Sequence, residues 1–581
     1  MKKRTKFHSR RLSLILTVAV LLAAAGLAGF AQKPEPADLV LTGGKIVTLD
    51  EAKPQAEALA VRGDRVVAVG TAKEIKNYIG DKTEVIDLQG KLAVPGLIDS
   101  HVHFMGIGQA KQSLDLTKAR NWDDIVAMVK DAARVAKPGA WIIGRGWHQD
   151  KWDKTPQPNI DGLPFHTQLS RVSPDNPVIL EHASGHSTIA NAKAMELAKI
   201  TGKTPNPPGG EIIKDKSGNP IGVFLETAQG LLSRAQEATL SRRTAAQVEA
   251  DARRTAELAS QECLSKGLTS VHDAGASFST IDLYKKLAAE GRLGVRVNAM
   301  IGEDNKQLQK RIKNYLIIDA PHHQLTVRSI KRFIDGALGS HGAWLLEPYT
   351  DLPSSTGLNT EPLADLRETA RIALDNGFQL CTHAIGDRAN RETLDIYEEA
   401  FKAYPDKKDL RWRVEHAQHL SPADIPRFGA LGVIASMQGI HATSDGPWVP
   451  KRLGLKRTEE GAYVWRKLMA GGALIANGTD APVEDVDPIP CFYALVTRKM
   501  KNGQVFFGGQ RMTRPEALRA YTLNGATASF EEGIKGSLTP GKLADITVLS
   551  QDIMTVPEDD ILKTRVLATI VGGKVLYKKS I

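Results

Sequence analysis

PGLIDSHVHF, residues 95–104, is an apolar run that ends in two histidines one residue apart. Side chains alternate across a strand, so His101 and His103 project to the same side, where both imidazoles can reach one cation. Such a pair needs partners, and later apolar runs supply them near their ends: His383 in CTHAIGD, His416 in VEHAQ and Asp480 in NGTDAPV. Eight runs of this kind follow one another, namely GLIDSHVHF, TSVHDAG, VRVNAMI, VRSIKRFID, FQLCTHAIGD, RWRVEHAQ, VIASMQ and LIANGTDA. Several are introduced by a Gly that ends a helix-like stretch, most clearly Thr244 to Lys266, stopped by Gly267. Strands alternating with helices, with ligand residue types at the strands' C-terminal ends, predict an α/β fold of the (β/α)8, TIM-like barrel type.

Spacing gives the domain plan. Most consecutive runs lie about 25 to 55 residues apart, but more than 150 separate the first from the second. An insertion over residues 105–240 therefore leaves the C-terminal end of the first strand and belongs on the active-site face as a lid. The barrel takes 96–104 and 241–534. The insertion is rich in Pro, Gly and Trp and contains WIIGRGWHQDKW and ILEHASGHSTIAN. It offers Trp147, Trp152, His182, His186 and Asn191 as candidate substrate-binding residues, joined by Gln438 and His441 after the seventh run. At the chain ends, LVL and KIVTL flank Thr42-Gly43-Gly44, LAV and RVVAVG flank Gly63-Asp64, and VLATIV and KVLYKK flank Gly572-Gly573. All three read as hairpins. They predict one discontinuous β-domain, a small β-sandwich built from 32–95 and 535–581.

The first 31 residues read differently. MKKRTKFHSRR carries six Lys or Arg and no acid, an apolar run extends from Leu12 to Phe30, and Gly29 and Ala31 flank Phe30. This is a signal peptide pattern over 1–31, with cleavage after Ala31, and it predicts an exported, periplasmic protein with no stable membrane association once cleaved. Ser9, Arg10 and Arg11 partly match a twin-arginine signal, and an uncleaved helical anchor facing the periplasm is the alternative. Without those six cations little remains of the formal charge of +10, which argues against a nucleic-acid partner. Cys263, Cys381 and Cys491 are far apart and odd in number, so they build no disulfide framework.

Lys331 sits in the middle of VRSIKRFID, on the same face as Phe333 and Asp335. An unpaired buried ammonium costs several kcal/mol. Nearby divalent cations would favour the neutral amine, which adds carbon dioxide to become a carbamate, an anion able to bridge two metals about 3.5–4 Å apart. The plainer alternative is a Lys331–Asp335 salt bridge.

PGLIDSHVHF, KRFIDGALGS, THAIGDRA, VEHAQ, NGTDAPV and the closing GSLTPGKLADITVL, taken in this order, resemble the amidohydrolase superfamily, and more narrowly its amidohydrolase-3, or YtcJ-like, branch. The likeness runs from about residue 37 to the C-terminus. It implies a composite β-domain, a distorted barrel and a divalent metal site of one or two ions, usually zinc. Carried over by position, His101 and His103 bind the more buried metal with Asp480, His383 and His416 bind the more exposed one, and carboxylated Lys331 bridges both. The resemblance also implies that Asp480 is the catalytic general base. His148 stands where the branch more often carries Asp, so substrate specificity does not transfer.

The expected activity is metal-dependent hydrolysis of the C–N bond of a small amide, N-acyl or N-formyl substrate by activated hydroxide, with Asp480 moving the proton to the leaving nitrogen. Cyclic amides, esters or lactones are alternative substrates, and a catalytically silent periplasmic binding or regulatory protein is the alternative of another class. Deaminases of this barrel use one metal and no lysine on the fourth strand, so Lys331 speaks against them. A homo-oligomer is compatible with all of these readings.

Overall fold

The computed structural model describes residues 34–579, apart from 150–151, 183–186, 208–209, 242, 319 and 340. The signal peptide expectation for 1–31 lies outside the described residues, as does His186.

All eight apolar runs become strands of one parallel sheet: β1 Leu97–Val102, β2 Leu268–Ala276, β3 Arg296–Ile301, β4 Leu325–Phe333, β5 Gln379–Ala384, β6 Arg413–His416, β7 Ile434–Met437 and β8 Ile475–Asn477. They stand side by side in chain order. The residues just past β8 complete the ring: Asp480 N donates to His101 O at 2.8 Å, His103 N donates to Ala481 O at 2.8 Å, and Val102 bridges Ala481 in parallel. β8 therefore returns to β1 with the ligand-bearing ends level.

The helix before β2, Ala245–Ser265, has the ends the sequence asks for. Thr244 caps it reciprocally with Gln247, and Gly267 takes φ 84°, which only glycine adopts without cost. On it rests the short helix Phe104–Ala110, which leaves β1 immediately after His103. The approach is close: a Cβ on Gly108 would stand 1.9 Å from Thr255 O.

Both chain ends build two sheets packed face to face, as their β patterns predict. Leu39, Leu41, Leu59 and Val61 of one sheet share a buried core with Ile46, Ala93, Ile546 and Val548 of the other. The hairpins at Gly63-Asp64 and Gly572-Gly573 are present, pairing Arg62 with Arg65 and Val571 with Lys574. The hairpin at Thr42-Gly43-Gly44 is not. Leu39–Thr42 pairs with Ala58–Arg62 and Glu84–Asp87, whereas Lys45–Val47 belongs to the second sheet. Gly43, at φ 71°, turns the chain from one sheet to the other, so that Leu41 and Ile46 enter the same core from opposite sides.

Between β1 and β2 lies a six-stranded sheet whose strands run from Leu114–Asp115 to Pro220–Glu226, with its own core around Trp122, Trp147, Leu180 and Val223. Among the described residues no helix is long and apolar enough to cross a membrane.

Candidate metal centre

The strand ends converge. His101 Nε2 lies 3.5 Å and His103 Nε2 3.2 Å from Asp480 Oδ1, and Lys331 Nζ is 3.4 Å from His101 Nε2. The His416 ring stands 4.7 Å from that of His101 and 4.5 Å from that of His383, centroid to centroid. All six residues named from the sequence as metal ligands therefore meet at one end of the barrel.

Two of them hold unusual backbone. His416 has φ 74° and Asp480 φ 61°, the left-handed region that side chains other than glycine seldom occupy. Such conformations cost about 1–3 kcal/mol and persist where the surrounding structure imposes them, typically at functional sites.

Three of the four imidazoles are approached by a second group. His101 Nδ1 donates to Glu415, whose carboxylate is held by Arg413 Nε at 2.7 Å. A carboxylate only accepts, so the lone pair of His101 lies on Nε2, toward Asp480 and Lys331. His416 Nδ1 donates to Gln438 Oε1 at 2.8 Å, which frees its Nε2 in the same way. His383 Nε2 leans to within 3.4 Å of Asp335 Oδ1, and Asp335 is itself fixed by the backbone N–H groups of Trp344, Ile385 and Gly386. Partners of this kind fix tautomer and ring orientation in metal sites.

Electrostatics keep the donors in their ligating forms. Burial, with the Lys331 ammonium, lowers the pKa of His101 to about 4, and burial drives His416 well below the usual imidazole range. For Asp480, burial alone would favour the acid, but the imidazoles of His103, His101 and His416 hold the carboxyl below its ordinary range. Burial likewise moves Lys331 down toward the neutral amine.

Unmatched atoms indicate what the cluster suits. Asp480 Oδ1, His383 Nε2 and His441 Nε2 are buried without a hydrogen-bond partner. Two sets of three donors, His101–His103–Asp480 and His416–His441–Asp480, have atoms within 4.8 Å of one another, the span of a cation's ligand shell. Nitrogen and carboxylate donors of this type fit a divalent cation such as zinc. The sequence pairs His416 with His383, and the second set adds His441, in the first turn of the helix Gly439–Ser444 after β7, while His383 lines the same cavity.

Of the candidate substrate-binding residues, His441 lines this cavity, while Trp147, Trp152, His182, Asn191 and Gln438 are not among its lining residues. Trp147 is buried in the insertion, its indole N–H donating to Leu180 O at 2.8 Å, and its ring packs on His182 and Trp152. Asn191 caps the helix Ala192–Leu197. Gln438 is spent on His416. The apolar walls come instead from the end of β4 and the loops after β4, β7 and β8, with Phe333, Leu338, Trp448 and Val483 around a cavity of about 340 Å³. Glu415 and Arg413 were not singled out in the sequence, although RWRVEHAQ contains both, and Asp335 was named only as a partner for Lys331.

Comparison with known proteins agrees with this geometry. Residues 84–577 match the model of the amidohydrolase family. The protein LONG AFTER FAR-RED 3 of Arabidopsis thaliana is 35% identical over 93% of this chain and 92% of its own length. N-substituted formamide deformylase of Arthrobacter pascens is 28% identical over 94% of this chain and 99% of its own. Among solved structures, an uncharacterized metal-dependent hydrolase of Pyrococcus horikoshii OT3 superposes with a TM-score of 0.72, at 26% identity, over 90% of this chain and 99% of that one. The chain belongs to the amidohydrolase family, in its amidohydrolase-3 branch.

Proposed function

We propose that this hydrolase cleaves the C–N bond of an amide, of the N-acyl or N-formyl kind, at the centre built on Asp480. The observation that carries the reading is a buried carboxylate oxygen with no hydrogen-bond partner, set between two imidazole nitrogens at 3.2 and 3.5 Å. His101, His103 and Asp480 would hold one divalent ion, zinc by donor type, and His416 with His383 or His441 a second, with the Lys331 carbamate between them. A cation there supplies Lewis acidity and makes an adjacent water easier to deprotonate.

The chain's own groups do the rest. Asp480, kept ionised by its histidine neighbours, accepts the proton of the attacking water and passes it to the leaving nitrogen, which is too basic to depart as an anion. Glu415 and Gln438 hold His101 and His416 in the tautomers that leave a lone pair facing the cluster. The relationship to a formamide deformylase favours a small acyl group, and fold likeness alone does not choose the amine. Export to the periplasm belongs to the same reading and rests on the residue pattern of 1–31.

The test is turnover by metal-loaded protein on N-acyl amino acids, dipeptides and formamides, alongside the Asp480→Asn variant. We expect C–N hydrolysis by the parent chain and a loss of about 10²–10⁴-fold in kcat in the variant. An inert parent chain with full metal content, or an unimpaired variant, refutes the reading.

A further inference from the structure

The walls of the cavity carry information about the far end of the substrate. Among the described residues that line it, Lys331 is the only Lys or Arg, and it lies at the floor. Arg452, whose guanidinium stands 5.8 Å from the Trp448 ring centre, is occupied by Asp351 and by Gly339 O. Two carboxylates stand there instead. Asp445 is four residues past His441 and Glu484 four past Asp480, on the loops that follow neighbouring strands β7 and β8, and both line the cavity.

Asp445 accepts from Tyr463 Oη at 2.6 Å and from Gln418 Nε2 at 3.3 Å, and forms no ion pair among the described residues. Glu484 has neither a hydrogen bond nor an ion pair among the described residues. His441, only 8% exposed, presents an unpartnered Nε2 in the same cavity. Phe333, 45% exposed, and the half-buried Trp448 add aromatic faces.

Aromatic faces and carboxylates without a guanidinium suit a cation on an apolar stem. A carboxylate in the same position would meet two like charges in a confined cleft and find no bidentate donor. We propose that the amide cleaved here bears an ammonium at the end remote from the scissile bond, and that amides ending in a carboxylate are rejected. The proposal rests on the hydrolase reading above and names the class of amine within it.

Three matched substrates test it: the N-formyl derivatives of 1,5-diaminopentane, hexylamine and 6-aminohexanoate. They share a pentamethylene spacer and end in an ammonium, a methyl and a carboxylate. With metal-loaded full-length protein, kcat/KM should fall in that order, by about 100-fold from first to last. Glu484→Gln should compress the first-to-last ratio about tenfold, mainly through KM, since a distal contact is made equally in ground and transition states. Glu484 has no internal partners, so the substitution spares the fold. A carboxylate substrate equal to or better than the ammonium one overturns the proposal, as does a ratio untouched by Glu484→Gln. If none of the three is hydrolysed, the hydrolase reading fails separately. Calorimetric titration with the same compounds then decides the specificity claim by their order of binding.

Discussion

Lys331 has lost its water and gained no carboxylate in exchange. It is 1% exposed, its Nζ lies 3.4 Å from one imidazole and 4.5 Å from the Phe333 ring centre, and among the described residues it forms no ion pair. The salt bridge to Asp335 that the sequence leaves open does not form, because Asp335 is taken up by three backbone N–H groups and His383. Burial that disfavours an ammonium favours an amine able to add carbon dioxide, forming an N–C bond and releasing a proton. Lys331→Ala should therefore lose activity and at least one equivalent of metal per chain, with both partly restored by a short carboxylic acid. Undiminished metal content and turnover would remove the lysine from the centre. The candidate His and Asp ligands were legible because each ends an apolar run, whereas Lys331 lies inside one. Glu415 was not, since strand alternation turns it away from its neighbour His416. The left-handed turn at His416 brings both inward, and sequence spacing does not display a backbone conformation.

Elements were legible where local signals agree with tertiary need. The helix Ala245–Ser265 carries a capping residue, a reciprocal Gln and a terminal glycine, and the eight barrel strands combine an apolar run with a polar end. The chain at Gly43-Gly44 has the local signal of a hairpin and a different tertiary solution, since both flanking strands find better partners in separate sheets. The insertion hid its sheet because its strands, two to seven residues long, pair out of chain order. Gly108 shows an element fixed by contact rather than pattern. It lets the helix that begins at Phe104 lie against Ala245–Ser265, and His103 occupies that helix's N-cap position. Gly108→Ala should force the helices apart against backbone at Thr255, costing about 1–3 kcal/mol in denaturant unfolding and lowering metal affinity through His103. An unchanged unfolding midpoint would show that the packing yields more easily than the geometry implies.

The barrel and the sandwich share one buried core. Leu92, Val94, Leu549 and Val566 of the chain ends belong to the same buried core as the barrel, and Gly96 N donates to Asp545 O at 2.7 Å just before β1 begins. A buried, bidentate polar link is Arg296, the first residue of β3, whose Nε and Nη2 meet both oxygens of Asp545 at 2.7 and 2.9 Å, with 4% and 5% of the two side chains exposed. Gly572 N donates to the same carboxylate at 2.8 Å, and Arg296 Nη1 also donates to His322 O and His323 O. Burial alone would raise the Asp545 carboxyl, but the Arg296 guanidinium and the hydrogen bonds hold it below its ordinary value of 3.8. A depressed acid contributes stability that is fully present above its unfolded pKa and is lost as pH falls through its folded one, so this link weakens only below about pH 4. Asp545→Asn strands a buried guanidinium and should cost about 3–5 kcal/mol at neutral pH. Its unfolding free energy should then fall less steeply than that of the parent chain between pH 5 and pH 3. Equal slopes in the two proteins would mean that the acid sensitivity of the assembly arises elsewhere. A biphasic transition in the variant alone would identify Arg296–Asp545 as the contact that makes barrel and sandwich unfold together.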